Sequence, residues 1–473
     1  MRNFDKLMLI NNEIQKLYSC ANILSCDAQV NMPRNAGDYR AEVMEMLSIK
    51  MAKAKQSKKY RDLIELVKND STISADERII VESIDESVKF SNRIPVKLHG
   101  KLQKMVTKCN TEWEQVKIDG KDDTKYIAML TEYVDAIKES ISYANQGEFK
   151  TPYDYLLYGY SKGMDASQIE SIFASVKPFV DTALAQLTAS TDPDFVAPDH
   201  VVMEIGQEIA ELIIGEKDSF TLSKSTHPFM ETLGRSDVRL TTRIKPSNVL
   251  DSIGSVVHES GHATYELGLP RNHYGNALGS AASIAAHEGI SLFYEKHVGE
   301  SVQMASQIAA RFGFKYDDVI GWMRSVNPEN LVRTESDEIT YQRHIINRFT
   351  IEKELFNGNL KVSEIPARWN ELYGKQLEPR FGYAVDVHWS NGLFGYFPSY
   401  TIGHLIAAQL KAKIDNMFTG GAVNYDEIRT WLKEHYFKHG AKYGTGDLVK
   451  VATGEDLNPE YWKKYITQKF NLK

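Results

Sequence analysis

The chain has 473 residues, of which 42% are hydrophobic and 25% charged, a balance that indicates a folded globular protein and excludes a disordered one. The net charge of −7 gives no electrostatic basis for binding nucleic acid. No stretch approaches the roughly 20 apolar residues of a membrane span, and the three cysteines include no CxxC pair, which is typical of a reducing compartment. The N-terminus carries charges where a secretion signal needs an apolar core, so we expect a cytoplasmic protein without nucleic-acid or membrane partners.

From the N-terminus the sequence predicts long amphipathic helices. Residues 39–68, 76–94 and 96–117 carry apolar side chains at spacings of three and four, with charged side chains between them. Helices of this type usually pack as hairpins that leave the charged face in water. No internal repeat and no linker rich in proline, glycine or serine divides the chain, so a single unit over residues 1–473 is predicted.

A short strand and then a longer helix are predicted next. Apolar and more polar residues alternate along 237–244, which is strand periodicity and predicts a small sheet. In the helix that follows, Ser247 or Asn248 is placed to cap the first turn, and Gly268 stands near the end, two residues before a proline.

Inside this helix the segment SVVHESGHATYEL contains the pattern HExxH. His258 and His262 are four residues apart, so both rings lie on one face of the helix and can offer a nitrogen to one ion. Glu259 points about 100° away, where a carboxylate can serve as base for an attacking water without binding the ion. Taken alone, the pattern also fits unrelated polar residues on a helix.

A third ligand decides between these two explanations. Tyr265 and Gly268 stand where a metzincin has glycine and histidine, which excludes that class. Glu266 shares the face of the two histidines, but three ligands from one straight helix lie along a line and cannot surround an ion. Glu288, on the next amphipathic helix, is therefore the predicted third ligand, and the fourth position is left for water.

Two further polar residues lie close to this ligand in the sequence. His287 competes with Glu288 for the ion, but we interpret it as a supporting or core histidine. For Glu295, two turns after Glu288, the alternatives are a supporting partner of the site and an ordinary surface carboxylate, and we predict the surface carboxylate.

Other blocks extend the pattern along almost the whole chain. They are CDAQVNMPRNAGDYRAE from residue 26, THPFMETLGRSDVRLTTR from 226, HEGIS from 287, VRTESDEITYQRHIINRF from 332 and GYAVDVHWSNGLFGYFPSYTIG from 382. Together with HESGH, and in this order, they resemble the carboxypeptidase Taq family of metallocarboxypeptidases. Several ordered blocks are far more specific than one pentapeptide. Val385 departs from the pattern, because the family has a glutamine there whose amide could bond a substrate.

The resemblance implies a mainly α fold, a helical two-lobed zincin with a deep active-site cleft and a very small β-sheet beside the HExxH helix. The N-terminal hairpins, to about residue 145, would form part of one lobe, and residues of about 200–410 would form the catalytic core. The resemblance also implies a homodimer and one Zn²⁺ per chain, with Co²⁺ or Mn²⁺ as alternatives, bound by His258, His262 and Glu288.

The resemblance places two short segments in the cleft, DVHW at 386–389 and FGYFPSY at 394–400. Glu259 is predicted to be the general base. Tyr396 and His388 are the expected donors to the oxyanion, and Tyr400 is the alternative tyrosine that lines the substrate site. Asp386 is expected to orient His388 through its other ring nitrogen.

Arg333 is the predicted partner of a substrate C-terminal carboxylate, because a planar guanidinium can bind a carboxylate through two nitrogens. A local salt bridge to Glu335 or Asp337 is the alternative for this arginine. The predicted function is a metal-dependent carboxypeptidase that acts on peptides, and the strand at 237–244 is expected to offer its edge to the extended substrate. An endo-acting helical zinc oligopeptidase, an aminopeptidase and a non-enzymatic helical binding protein are the alternatives.

Overall fold

The computed structural model describes residues 1–120, 122–191, 193–418 and 422–473. Over these residues the chain forms mostly α-helices and one sheet of three short strands, so the predicted mainly helical fold with a very small sheet is confirmed. Within the described part, no helix combines the length and the apolar character needed to cross a bilayer.

The helices of the N-terminal half are α1 (Asn3–Val30), α2 (Gly37–Gln56), α3 (Lys58–Lys68), α4 (Ala75–Arg93), α5 (Val96–Asp119), α6 (Thr124–Ala144), α7 (Pro152–Tyr158), α8 (Ala166–Gln186) and α9 (Asp199–Ile214). The strands are β1 (Phe220–Lys224), β2 (Phe229–Gly234) and β3 (Asp237–Thr242). The later helices are α10 (Val249–Gly268), α11 (Ile284–Phe293), α12 (Val302–Phe312), α13 (Tyr316–Met323), α14 (Glu338–Phe356), α15 (Ile365–Tyr373), α16 (Pro398–Lys413), α17 (Tyr425–His435), α18 (Thr445–Thr453) and α19 (Glu460–Phe470).

The apolar faces of the first helices form a small core of their own. Leu7 and Ile14 of α1 pack with buried residues of α3 and α4, apart from the large core that the remaining helices share. Leu278, from the segment after α10, reaches this small core and joins the N-terminal helices to the rest of the chain. Ser57 separates α2 from α3, and its side chain accepts a hydrogen bond from the backbone of Tyr60 at the start of α3.

The sheet lies against α10 and has the strand order β1-β3-β2. Strand β3 is parallel to β1 and antiparallel to β2, and it confirms the strand predicted at 237–244. The expectation that this strand offers an edge to a substrate is wrong, because β3 is the central strand and both of its sides are paired. Val238 and Leu240 point from β3 into a cluster with Val256 and Ala263 of α10, which explains the alternation in the sequence.

Helix α11 is packed closely between α10 and α16, and two glycines allow this approach. A Cβ added at Gly261 of α10 would lie 2.6 Å from the Cα of Ser291 in α11. A Cβ at Gly403 of α16 would lie 2.9 Å from the Cβ of Glu288. Because both contacts exclude any larger side chain, α11 is held within reach of the HExxH residues on one side and of α16 on the other.

Candidate active site

The three predicted metal ligands come together at the crossing of α10 and α11. The side chain of Asn248 caps α10 by accepting a hydrogen bond from the backbone of Leu250, as predicted. His258 and His262 stand one turn apart on α10, and α11 presents Glu288 to them. One ligand atom from each of the three residues lies within 4.8 Å of the other two, and His258 Nε2 is 3.8 Å from Glu288 Oε2.

The second ring nitrogen of His258 is held by an acidic residue. His258 Nδ1 donates to Glu295 Oε2 over 2.7 Å, and Nε2 points toward Glu288. Burial alone would lower the pKa of His258, but the Glu295 hydrogen bond raises it to about 9, so a cation that binds Nε2 would displace a proton from it. Glu295 lies in a π-helical turn, Tyr294–Val298, that continues α11. The prediction that Glu295 is a surface carboxylate is wrong. The turn continues the face of α11 that carries Glu288 and packs on α10, so Glu295 also lies against α10, beside His258.

The second ring nitrogen of His262 is held by another histidine. Nδ1 of His262 is hydrogen-bonded to Nδ1 of His287, and Nε2 of His287 donates to Glu266 Oε1 over 3.0 Å. A carboxylate only accepts, so a neutral His287 carries its proton on Nε2, and its Nδ1 accepts from His262. The lone pair of His262 Nε2 is therefore free for a cation. His287 has the supporting contact that we predicted, and Glu266 supports it in turn.

These donors fit a divalent cation. Two imidazole nitrogens and one carboxylate are the ligand set of a zinc site that keeps a position for water. Burial and the neighbouring histidines lower the pKa of His262 well below its ordinary value, which keeps this ring in the neutral form that binds metal. Burial raises the pKa of Glu288, so a cation there would compete with a proton.

Glu259 lies beside this group on α10 and is only 7% exposed. Burial raises the pKa of Glu259 to about 7, and the charge of His258 opposes the shift while that of Glu288 adds to it. A carboxylate that titrates near neutral pH can take and return a proton under physiological conditions.

Asp386 organises the other wall of the site. Its carboxylate accepts from Arg333 Nε at 2.5 Å and Arg333 Nη2 at 3.2 Å, and it also accepts from His388 Nδ1 at 2.9 Å. Burial alone would raise the pKa of Asp386, but the His388 hydrogen bond and the Arg333 charge hold it well below its usual range. The predicted contact between Asp386 and His388 is present. The alternative pairing of Arg333 with Glu335 or Asp337 is not formed.

Arg333 keeps part of its guanidinium free. Its Nη1 donates to the hydroxyl of Tyr341 over 3.0 Å, and the guanidinium carbon lies 5.3 Å from the ring centre of Tyr400. Arginine has five N–H groups, and the bonds to Asp386 and Tyr341 use three of them, which leaves one on each Nη atom. Tyr341 was not predicted as a site residue, although it lies eight residues after Arg333 in the block that begins at residue 332.

The remaining predicted residues form an aromatic cluster next to Arg333. The ring centres of His388 and Tyr396 are 5.5 Å apart, and those of Tyr396 and Tyr400 are 5.3 Å apart. Burial, together with the charge of Glu288, raises the pKa values of both tyrosines, so that both keep their O–H groups as donors. Because its Nδ1 donates to Asp386, a neutral His388 presents Nε2 as an acceptor.

Glu352 fixes the loop that carries these aromatic residues, and the sequence analysis missed it. Its buried carboxylate accepts from Trp389 Nε1 at 2.6 Å, from the backbone of Gly395 at 2.8 Å and from the hydroxyl of Tyr153 at 2.8 Å. The bonds to Trp389 and Gly395 fix both ends of the loop between these residues. The predicted oxyanion donors, His388 and Tyr396, directly flank this loop. No sequence signal singles out Glu352, because α14 also contains Glu338 and Glu354.

Known proteins resemble this chain along almost its whole length. The sequence model of the family described as carboxypeptidase Taq (M32) metallopeptidase matches residues 6–470. Carboxypeptidase 1 of Bacillus subtilis is 31% identical over 95% of this chain and 94% of that protein, and thermostable carboxypeptidase 1 of Pyrococcus furiosus is 28% identical with the same coverage. Among solved structures, the M32 carboxypeptidase from Deinococcus radiodurans R1 superposes with a TM-score of 0.92 at 26% identity over 99% of both chains.

Proposed function

The chain belongs to the carboxypeptidase Taq (M32) metallopeptidase family and is a metallocarboxypeptidase, and we propose that it removes single residues from peptide C-termini with one Zn²⁺ bound by His258, His262 and Glu288. The observation that carries this proposal is the position of Arg333, which keeps two N–H groups free and lies close enough for its charge to act on Glu288. Co²⁺ and Mn²⁺ are the alternative ions for the same donors. As the resemblance implies, we also propose a homodimer of single-unit chains.

Glu259 is the general base of the proposed reaction. When bound, the divalent ion supplies Lewis acidity to the scissile carbonyl and to the attacking water. Glu259 takes a proton from that water and passes it to the leaving amine, which its pKa of about 7 allows in both directions. Glu295 and His287 hold the two histidine rings in the required orientation.

Tyr396 is the proposed donor to the oxyanion. Its hydroxyl remains protonated because of burial and the nearby Glu288 carboxylate. We assign this role to Tyr396 rather than to His388, because burial lowers the pKa of His388 and its neutral ring has only an acceptor left at Nε2. His388 then accepts a hydrogen bond from the substrate or from a tyrosine hydroxyl, and Tyr400 lines the site.

Arg333 anchors the terminal carboxylate. Its two free N–H groups, one on each Nη, can pair with the two oxygens of a carboxylate. Asp386 and Tyr341 hold the guanidinium in place through its other N–H groups. This anchor distinguishes a carboxypeptidase from an endo-acting peptidase with the same metal site.

The decisive experiment compares one N-blocked peptide with a free and with an amidated C-terminus. The loss of a charge-assisted pair costs about 1.5–3 kcal/mol, so kcat/KM for the amidated peptide should fall at least about tenfold. Arg333→Ala should remove most of this difference, whereas the control Arg311→Ala, in an exposed ion pair, should keep it. Equal cleavage of both peptides by the parent enzyme would support the endo-acting alternative. An undiminished difference in Arg333→Ala would mean that the carboxylate is held elsewhere.

A further inference from the structure

A continuous chain of ion pairs with alternating charge begins at the residue that holds His258. We call its five side chains the ion chain: Glu295, Lys296, Glu300, Lys469 and Glu338. Glu295 Oε1 lies 2.9 Å from Lys296 Nζ, which lies 3.4 Å from Glu300 Oε1. Lys469 Nζ then binds Glu300 Oε2 and, on its other side, Glu338 Oε2. Within the ion chain, Lys469 therefore joins two carboxylates from different parts of the sequence.

The three members of the ion chain at the Lys469 end are buried. The side chains of Glu338, Lys469 and Glu300 are 3%, 8% and 15% exposed, respectively. Removing one partner of a buried ion pair leaves the other charge without compensation, which is much more costly than losing an exposed pair. Without Lys469, the two carboxylates would have only one nearby cation of the ion chain, Lys296.

One end of the ion chain, Glu295, contacts a metal ligand, and the other end, Glu338, lies on the helix that carries a contact of Arg333. Glu295 receives the Nδ1–H of His258, so the position of Glu295 sets the orientation of a metal ligand. Glu338 is the first residue of α14. One turn later the same helix carries Tyr341, whose hydroxyl accepts a hydrogen bond from Arg333. Lys469 comes from α19, the last helix of the chain, and no part of the chemistry described above uses it.

We propose that Lys469 is a positioning residue of the C-terminal helix, which neutralises Glu300 and Glu338 so that Lys296 remains on Glu295 and Glu295 remains on His258. The proposal rests on the metal site of the proposed function. If Lys469 loses its charge, Lys296 turns toward the two unpaired carboxylates. Glu295 then loses its counter-charge and holds His258 less firmly, which weakens metal binding.

The test measures Zn²⁺ affinity by competition with a chromophoric chelator, together with the melting temperature with and without Zn²⁺. For Lys469→Met we expect about tenfold weaker Zn²⁺ binding, the low end of the losses seen when a support of a metal ligand is removed. The control Lys464→Met, an exposed lysine of the same helix, should bind Zn²⁺ as the parent does. The double variant Glu300→Gln/Lys469→Met should recover affinity, because Lys296 then has fewer competing carboxylates.

Unchanged Zn²⁺ affinity in Lys469→Met, even with a lower melting temperature, would show that Lys469 is only structural and would overturn the proposal. A double variant as weak as Lys469→Met would overturn it as well. If Lys469→Met does not fold, Lys296→Met takes its place, because it directly removes the cation that pairs with Glu295. Parental Zn²⁺ affinity in Lys296→Met would also refute the proposed role of the ion chain. A parent enzyme that binds no Zn²⁺ would instead refute the proposed function.

Discussion

Asp386 binds Arg333 through two guanidinium nitrogens, with Oδ2 at 2.5 Å from Nε and Oδ1 at 3.2 Å from Nη2. The same carboxylate also accepts from His388, so one side chain orients a proposed substrate anchor and an aromatic residue of the site. The two partners are 53 residues apart in the sequence, and only the fold brings them together.

We predict that Asp386→Asn lowers kcat/KM and reduces the preference for a free C-terminus. The amide removes the negative charge that compensates Arg333, and breaking such a buried pair costs about 3–5 kcal/mol. Steady-state kinetics on the free and amidated peptides measure both effects. Asp426→Asn is the matched control, because Asp426 pairs with Arg429 but is 90% exposed. A variant with the parental preference would show that Asp386 does not hold the anchor.

The second prediction concerns the metal. Glu288→Gln should lower bound metal sharply, because a neutral amide is a poorer ligand than a carboxylate. Metal content after dialysis against a buffer with limiting Zn²⁺ measures this directly. Full occupancy and activity in the variant would reassign the third ligand to Glu266 or His287, which are hydrogen-bonded to each other at 3.0 Å.

The third prediction separates metal binding from proton transfer. Glu259→Gln should keep the metal, since Glu259 is not one of the three clustered donors, and should lose hydrolysis. The loss of a general base typically lowers the rate by about 10²–10⁴. Bound metal and kcat are to be measured on the same preparation. A near-parental kcat would mean that another group accepts the proton.

The fourth prediction tests the close approach of α10 and α11. In Gly261→Ala the new Cβ would lie 2.6 Å from the Cα of Ser291 and 3.1 Å from the carbonyl oxygen of Ile290, which are backbone atoms that cannot turn away. Overpacking of this kind costs about 1–3 kcal/mol, and moving α11 also displaces Glu288. The free energy of unfolding measured in urea and the Zn²⁺ affinity should therefore both decrease.

The control for this variant is Gly100→Ala in α5, where nothing lies within 4 Å of the added Cβ. Replacing an uncrowded helical glycine by alanine stabilises the helix by about 0.5–1 kcal/mol. The two substitutions should consequently change stability in opposite directions. A destabilised Gly100→Ala would indicate that the loss at Gly261 does not come from contact with α11.

The fifth prediction is a pH dependence of stability from Glu338. Burial alone would raise the pKa of this carboxyl, but the charges of Lys469 and Lys296 lower it from 4.5 to about 2. The pKa is lowered on folding, so the stabilisation is complete above pH 4.5 and is lost as the pH falls toward 2. Glu338→Gln should thus be less stable than the parent at neutral pH, and the gap should close as the pH falls through this window.

Unfolding free energies of both proteins between neutral pH and pH 2.5 test this prediction, within the range where the proteins remain soluble. Glu434→Gln provides the comparison, because Glu434 is 63% exposed and its lysine partner lies 3.9 Å away. A gap between Glu338→Gln and the parent that stays constant with pH would show that the carboxylate is not stabilised by the two lysines.

The sequence by itself determined the local parts of this protein. The spacing of apolar residues predicted the helices, the alternation at 237–244 predicted β3, and the capping residue before Val249 predicted the start of α10. The pair His258 and His262 could be placed on one face because a helix repeats every 3.6 residues. Each of these features depends on residues that are close in the chain.

The tertiary structure alone decided which distant residues are partners. Glu295 looked like a surface carboxylate until α11 was packed on α10, and β3 looked like an available edge until β1 and β2 were paired on both sides of it. The contacts of Arg333 with Asp386 and of Lys469 with Glu338 join segments that no local pattern relates. A hydrogen bond or ion pair needs atoms within a few ångströms, and for residues far apart in sequence that distance is set by how the helices pack, not by their spacing along the chain.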